Sequence, residues 1–355
     1  MSRGEHRAHA SASASERPFA DLTPEAVLDA LDAVGLRGDG RLIQLNSYEN
    51  RVFQVFLGSA EVVVPKFYRP GRWSDEQILE EHAFSVELAA AEIPVVAPLT
   101  LELAAQPRHA VTLAGDPPTL AHSLGQRFSV SPRRSGRAPE LDDPATLEWI
   151  GRFIGRMHAV GARRAFAHRG RIDAQTYGIA PRDYLLASGR VPPDALPRWR
   201  SAVDTALDQV HNAFASLPDL RTLRLHGDCH PGNILWSDAG PHFVDLDDAL
   251  TGPAVQDLWM LLSGDRASMT RQLAAVLSGY EDFMEFDWRE LRLVEPLRTL
   301  RMIHHSAWIA RRWNDPAFPV AFPWFDGAAY WLQQATQIGE QIEAMAETPL
   351  GTPAI

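Results

Sequence analysis

Twelve residues past the middle of the chain constrain it more than any other stretch: Leu225-His226-Gly227-Asp228-Cys229-His230-Pro231-Gly232-Asn233-Ile234-Leu235-Trp236. Apolar residues enter and leave this run, and acid, imidazole and amide groups lie between them. A polar loop anchored at both ends by apolar chain is where binding and chemistry concentrate. Ser237-Asp238-Ala239-Gly240 then reads as a turn, and His242-Phe243-Val244 as a returning strand. Asp245 therefore falls at a strand end, twelve residues past Asn233, which is itself five past Asp228.

The Asp-to-Asn spacing is that of a phosphoryl-transfer loop. In such a loop the acid orients a hydroxyl and accepts its proton, and the amide turns back to hold a metal on nucleotide phosphates. Asp245 stands where a second, carboxylate ligand belongs. Mg2+ takes hard oxygen donors and keeps several waters, so one Asp, one Asn and phosphate oxygens suffice. The competing reading is a zinc site from His226, His230, Asp228 and Asp245. Such sites want three or four closely spaced nitrogen or sulfur ligands, and Asn is not a usual one. Cys229, beside the acid, reads as small buried packing rather than a reactive thiol.

Lysine usage adds a second signal. Of 34 basic residues, 33 are Arg, and Lys66 is the single Lys. Codon bias towards Arg explains the scarcity but not the exception. A compact ammonium makes a single-point charge contact that a planar guanidinium does not reproduce, which marks Lys66 as a functional candidate.

The chain has 355 residues, enough for two core-forming units. With 34 basic and 45 acidic residues its net charge is −11, a poor match to nucleic acid or anionic membrane. No apolar run approaches the ~18–20 residues of a membrane helix, and one cysteine allows no internal disulfide. The single cysteine fits a reducing cytoplasm. Residues 1–18, rich in Ser, Ala, Arg and His, lack the apolar core of a secretory signal and read as a disordered tail.

Order is expected from Phe19. Thr23-Pro24 opens a helix that Gly35 ends. Leu42–Leu45, Arg51–Phe56 and Glu61–Val64 read as three antiparallel strands, with Lys66 at the end of the third. Ser74-Asp75-Glu76-Gln77 is a capping box for a helix to about Ala91. More strands are expected near 99–103, 109–113 and 125–130. The Pro-, Gly- and charge-rich stretch 131–143 reads as a linker, and Asp143-Pro144 opens the next helix. The remainder is mainly helical except for a β-rich patch at 222–250. The expected layout is a β-rich lobe over 19–131, a helical lobe over 132–345, and a flexible end over 346–355.

The His-Gly-Asp-x-His-x-x-Asn run followed by a strand-end Asp resembles the aminoglycoside-phosphotransferase and choline-kinase branch of the protein-kinase-like superfamily. The wider sequence is similar to the bacterial stress response kinase A family, whose members phosphorylate Ser/Thr. The similar segments are Asn46–Val52, Lys66–Pro70, Ile78–His82, Phe243–Ala249 and His304–Ile309, within about 41 to 325. The resemblance implies an α+β, bilobal protein-kinase-like fold with a small β-rich N-lobe and a larger, mainly helical C-lobe. It implies ATP as co-substrate, Mg2+ as cofactor, a protein or small-molecule hydroxyl as acceptor, and a monomer. It assigns Asp228 and Asp245 as catalytic, Asn233 and Asp245 as metal ligands, and Lys66 to the nucleotide α/β-phosphates.

A carboxylate on the following helix should hold Lys66. Glu80 and Glu81 are the candidates, and the resemblance, by register with the Leu88–Pro94 segment that ends this helix in related kinases, favours Glu81. No G-x-G-x-x-G is present; Asn46–Asn50 occupies the first strand-to-strand turn, so the Ser47 hydroxyl or backbone N–H groups are candidates for phosphate contact, with a plain turn residue as the alternative. Asp257, opening a helix, is expected to brace the catalytic loop or simply to be an N-terminal helix acid. Only twelve residues separate it from Asp245, too few for a long activation loop.

Five Trp residues (288, 308, 313, 324 and 331) follow residue 280, and helix packing explains them better than a cation cage. If the basic, aromatic stretch His304–Trp313 lines the acceptor site, it favours an acidic peptide or anionic metabolite; otherwise its arginines pair with local acids such as Asp315. A nucleotide-binding pseudokinase is the other functional class. Having Lys66, Asp228, Asn233 and Asp245 together argues against it.

Overall fold

The computed structural model describes residues 18–351. The tail expected at 1–18 lies outside them but for Pro18, as do residues 352–355. Backbone contacts divide the chain into two units. One runs to Gly136 and takes in Asn314–Ala317; the other comprises Arg137–Trp313 and the chain from Phe318 onward.

In the first unit the opening helix, α1 (Pro24–Ala33), begins as its sequence dictates. The Thr23 side chain accepts from the Ala26 N–H, and Pro24 sits where a missing N–H does no harm. Three strands follow, β1 (Gly38–Leu45), β2 (Arg51–Leu57) and β3 (Val62–Phe67). β3 runs through Pro65 and ends one residue past Lys66, its expected end. Because Pro65 has no N–H, the β2–β3 ladder is interrupted there, between the Val52–Lys66 and Val55–Val63 pairs. α2 (Asp75–Ala90) starts with both halves of its capping box formed.

The second group of strands departs from expectation. β4 (Val111–Gly115), β5 (Pro118–Ser123) and β6 (Gln126–Pro132) complete a six-stranded antiparallel sheet in the order β1-β2-β3-β6-β5-β4. β5 had no counterpart in the sequence reading, because two adjacent prolines mark its start as a break. The segment 99–103 is not a strand: Leu99 donates to the Val130 carbonyl and Leu101 to that of Pro118, with no ladder between. Val27, Leu31, Phe53, Val55, Phe67 and Phe128 form the core between α1 and the sheet.

The second unit opens with α3 (Pro144–Gly161), capped by Asp143, which accepts from the Ala145 and Thr146 N–H groups. α4 (Ala180–Ser188) and α5 (Leu196–Ala215) follow. Two small antiparallel pairs interrupt the helices, β7 (Leu223–Arg224) with β10 (Thr251–Gly252), and β8 (Ile234–Ser237) with β9 (Gly240–Phe243). Then come α6 (Gln256–Trp259), α7 (Arg266–Tyr280), α8 (Val294–Arg311), the short α9 (Ala317–Ala321) and α10 (Ala328–Ala346).

α3 and α7 pack backbone to backbone. A Cβ on Gly155 would lie 2.5 Å from the Tyr280 carbonyl oxygen, so only glycine lets them approach this closely. α5 and α10 meet through Trp199 and Trp331, both fully buried and edge to face, with the Trp199 indole N–H donating to Gln334 at 2.7 Å. Trp331 is thus a packing residue. The end expected to be flexible from 346 is tied down through its described part: Arg266 reaches the Thr348 and Pro349 carbonyls, and Leu350 is buried.

Candidate active site

The second unit carries Asp228, Asn233 and Asp245, and its local structure explains how they come together. β7 leads into the loop, where Leu225 donates to the Leu250 carbonyl. Gly227 has φ +84°, and a Cβ there would sit 2.1 Å from the Asp248 carbonyl oxygen. Both the left-handed backbone and the close approach require glycine beside the acid. Asp257 accepts from the backbone N–H groups of His226 and Gly227, each at 2.8 Å, through separate carboxylate oxygens. It is fully buried, lies 3.0 Å from His158 Nε2, and His158 in turn meets the Tyr280 hydroxyl at 3.0 Å. Of the two readings open for Asp257, the brace is the one observed. The buried Gln256 amide adds a bond to the Gly227 carbonyl at 3.0 Å.

The two oxygen donors downstream converge through the β8–β9 hairpin. Ile234 pairs with Phe243, and Val244 N–H donates to the Asn233 carbonyl at 3.0 Å. That register places Asn233 and Asp245 at the same end of the hairpin. The Asn233 amide nitrogen donates to the Asp228 carbonyl at 3.0 Å, which orients the side chain and leaves its oxygen as a hard donor. Asp245 has φ 59° and ψ 63°, a left-handed conformation uncommon for a residue with a side chain and typical of functional sites. The buried Arg169 pins the turn after it by donating to the Asp247 carbonyl at 2.6 Å. An amide oxygen and a carboxylate at one hairpin end fit a hard divalent cation that keeps water and phosphate ligands. They do not fit zinc. His226 is fully buried and its Nε2 is engaged by the Val244 carbonyl at 2.9 Å, so its ring is structural.

Asp228 itself meets Arg301 of α8, with Nη1 2.5 Å from its Oδ1, and His230 Nε2 lies 3.5 Å from Oδ2. Burial works to raise the acid's pKa, but the charges of Arg301 and His230 outweigh it and hold the carboxyl below its usual range. The His230 imidazole goes down, driven by burial against the pull of Asp228. Burial lowers His305 as well, with Arg301 adding to the effect. Cys229 is fully buried and its thiol is pushed well up, so it is packing and not a nucleophile. Sequence reasoning missed Arg301, which lies 73 positions from Asp228 with no local pattern linking them. It missed His158 and Tyr280 for the same reason.

The first unit carries Ser47, Lys66 and Glu81. Lys66 lies on the half-buried face of β3, opposite Val63 and Phe67, with Nζ 5.3 Å from the centre of the Tyr68 ring. Glu81 is buried and accepts from Ser85 Oγ at 2.8 Å, whereas Glu80 is half-buried. The Ser47 hydroxyl caps its own turn by accepting from the Asn50 N–H at 3.3 Å. Arg69 clamps that turn, donating to the carbonyls of Glu49 at 2.9 Å and Tyr48 at 3.1 Å. Its far nitrogen lies 2.8 Å from Asp315. Asp315 thus serves Arg69, while Arg311 stacks over Tyr184 and Arg312 over Trp308.

Comparison with known proteins places the chain in a family. The model of the phosphotransferase enzyme family matches residues 41–294. Stress response kinase A of Salmonella choleraesuis is 45% identical over 332 residues, covering 94% of this chain and 96% of its own. The Escherichia coli K12 protein of the same name is 44% identical with the same coverage. A Salmonella typhimurium relative at 45% identity, again with that coverage, is named serine/threonine protein kinase RdoA. Among solved structures, an amicoumacin kinase in complex with AMP-PNP, Ca2+ and Ami has a TM-score of 0.67 at 18% identity, covering 96% of this chain and 97% of that one. A microcompartment-associated aminopropanol kinase has a TM-score of 0.64 at 17% identity, covering 91% and 98%. Those two likenesses speak for the kinase-like fold, a small antiparallel sheet with a larger helical part. By fold, motif and relatives together, the chain belongs to the phosphotransferase enzyme family, in its stress response kinase A group.

Proposed function

We propose that the protein transfers the γ-phosphoryl group of ATP to a serine or threonine hydroxyl of a protein, with Mg2+ as cofactor. The observation that carries this reading is the braced loop. Asp257, Gln256 and Gly227 hold Asp228 in place, and Asn233 and Asp245 meet at one end of the adjoining hairpin. In this reading the acceptor oxygen forms a bond to the γ-phosphorus, the bond to the departing ADP oxygen breaks, and the hydroxyl proton passes to the Asp228 carboxylate. Asn233 and Asp245 would hold Mg2+, which when bound neutralises phosphate charge. Lys66 would bind the α/β-phosphates, with Glu81 as its partner because it is the more buried of the two candidate acids. The Arg69-clamped turn would offer the Ser47 O–H and backbone N–H groups to phosphate oxygens.

The relative named serine/threonine protein kinase RdoA supports a protein acceptor. A small-molecule hydroxyl is the second reading, favoured by a cavity of about 390 Å3 lined by His230 and Arg301. Incubation with γ-labelled ATP and either a generic protein acceptor or a panel of small alcohols separates them. Label on protein Ser or Thr, lost on chelating Mg2+, is the expected result. Label on small alcohols alone would replace the first reading by the second.

A further inference from the structure

The cavity beside Asp228 has a chemical character that bears on the acceptor. His230, Trp259, Met269, Arg298 and Arg301 are among its lining residues, and among the described residues no acidic one lines it, in a chain of net charge −11. Arg298 and Arg301 lie three apart on α8, on neighbouring positions of one helix face. Arg298 is already occupied, with one guanidinium nitrogen 3.0 Å from each Glu295 oxygen. Arg301 is less engaged: among the described residues one nitrogen meets Asp228, and its side chain is 44% exposed, with further donors on its fork.

The pairing creates a chemical problem. An acceptor hydroxyl must reach hydrogen-bond distance of Asp228, yet Arg301 occupies one of that carboxylate's oxygens. Loosening the pair leaves a guanidinium without its counter-ion, and an acceptor carrying its own anion offsets that loss. A cationic acceptor would meet the guanidinium as a like charge. We propose that Arg301 is an acceptor-specificity residue, and that it selects serine or threonine flanked by acidic side chains. The inference rests on the kinase reading above and deepens it.

The test compares kcat/KM for a serine peptide flanked by glutamates with that for the same peptide flanked by arginines. D-glycerate and ethanolamine supply the parallel pair for small acceptors. Wild type should favour the acidic member by about tenfold or more. Arg301→Gln should bring the ratio to about one, Arg301→Glu should invert it, and Arg301→Lys should keep much of it. A ratio within each protein is insensitive to partial unfolding, and a merely structural Arg301 would lower both rates without moving it. A wild-type preference for the basic member, or a ratio unmoved by Arg301→Glu, overturns the inference and leaves the kinase reading standing. Transfer to glycerate alone supports anion selection and overturns the protein acceptor. No transfer to any of the four overturns both.

Discussion

At the scale of single residues, charge type and charge partner decide what each group can do. Lys66→Arg preserves charge in a chain otherwise built with arginine alone, so attraction for ATP should survive. The larger planar head cannot take the place of an ammonium, and the loss should appear in kcat more than in ATP affinity. Steady-state kinetics and a melting curve check this; a normal kcat would reduce Lys66 to an accident of codon usage. Asp228 makes a second case. Arg301 and His230 hold its pKa down against burial, so the carboxyl stays ionised further into the acidic range than an ordinary Asp. Removing Arg301 leaves the opposing burial in place, so Arg301→Gln should move the acid limb of the kcat profile to higher pH. An unmoved limb would mean the pair has no electrostatic hold on the base. Asp245→Asn exchanges a carboxylate for a neutral amide and should raise the Mg2+ concentration needed for half-maximal rate. The loop and hairpin that bring Asp228, Asn233 and Asp245 together stood out in the sequence by local spacing. Arg301 and Arg69 did not, because their partners lie far away along the chain and only tertiary packing brings them close.

At the scale of elements, the loop after β7 is fixed by α6, whose Asp257 is backed by His158 of α3 and, through it, Tyr280 of α7. Gly227→Ala should destabilise the protein by about 1–3 kcal/mol from backbone strain alone, with the clash at Asp248 added. Thermal melts read the change, and an unshifted midpoint would contradict the close approach. Behind the same loop, Glu290 is buried and accepts from the Val255 N–H at 2.9 Å, at the start of α6. Burial pushes its carboxyl up to about 7, from an ordinary value of 4.5. The folded state therefore prefers the protonated acid. That stability is fully present below pH 4.5 and is lost as pH rises through about 7. Glu290→Gln does not titrate, so its stability relative to wild type should grow by on the order of 3 kcal/mol across that window. Parallel pH–stability curves would mean Glu290 ionises normally. Elements with strong end signals, α1, α2 and α3, stand where Thr23, Ser74 and Asp143 place them. The errors fell where pattern and pairing part company: 99–103 has a strand's texture but joins no ladder, and β5 begins with the proline that masks it.

At the scale of the whole molecule, six residues expected to act on one reaction are divided three and three. Ser47, Lys66 and Glu81 belong to the sheet-bearing unit, and Asp228, Asn233 and Asp245 to the helical one. Each set is held by its own buried scaffold, the Arg69–Asp315 clamp in the first and the Asp257–His158–Tyr280 chain in the second. The two-unit plan was legible from the change of texture along the chain. The return of Asn314–Ala317 to the first unit was not, since nothing in those four residues signals it. The central claim is that Asp228 is the base for phosphoryl transfer and takes no part in holding nucleotide. Asp228→Ala, assayed for transfer from γ-labelled ATP and for ATP binding by calorimetry, tests it most directly. Transfer should fall by at least ~10²–10⁴ with ATP affinity and melting temperature little changed. Near-wild-type turnover, or loss of ATP binding in a folded variant, would contradict it.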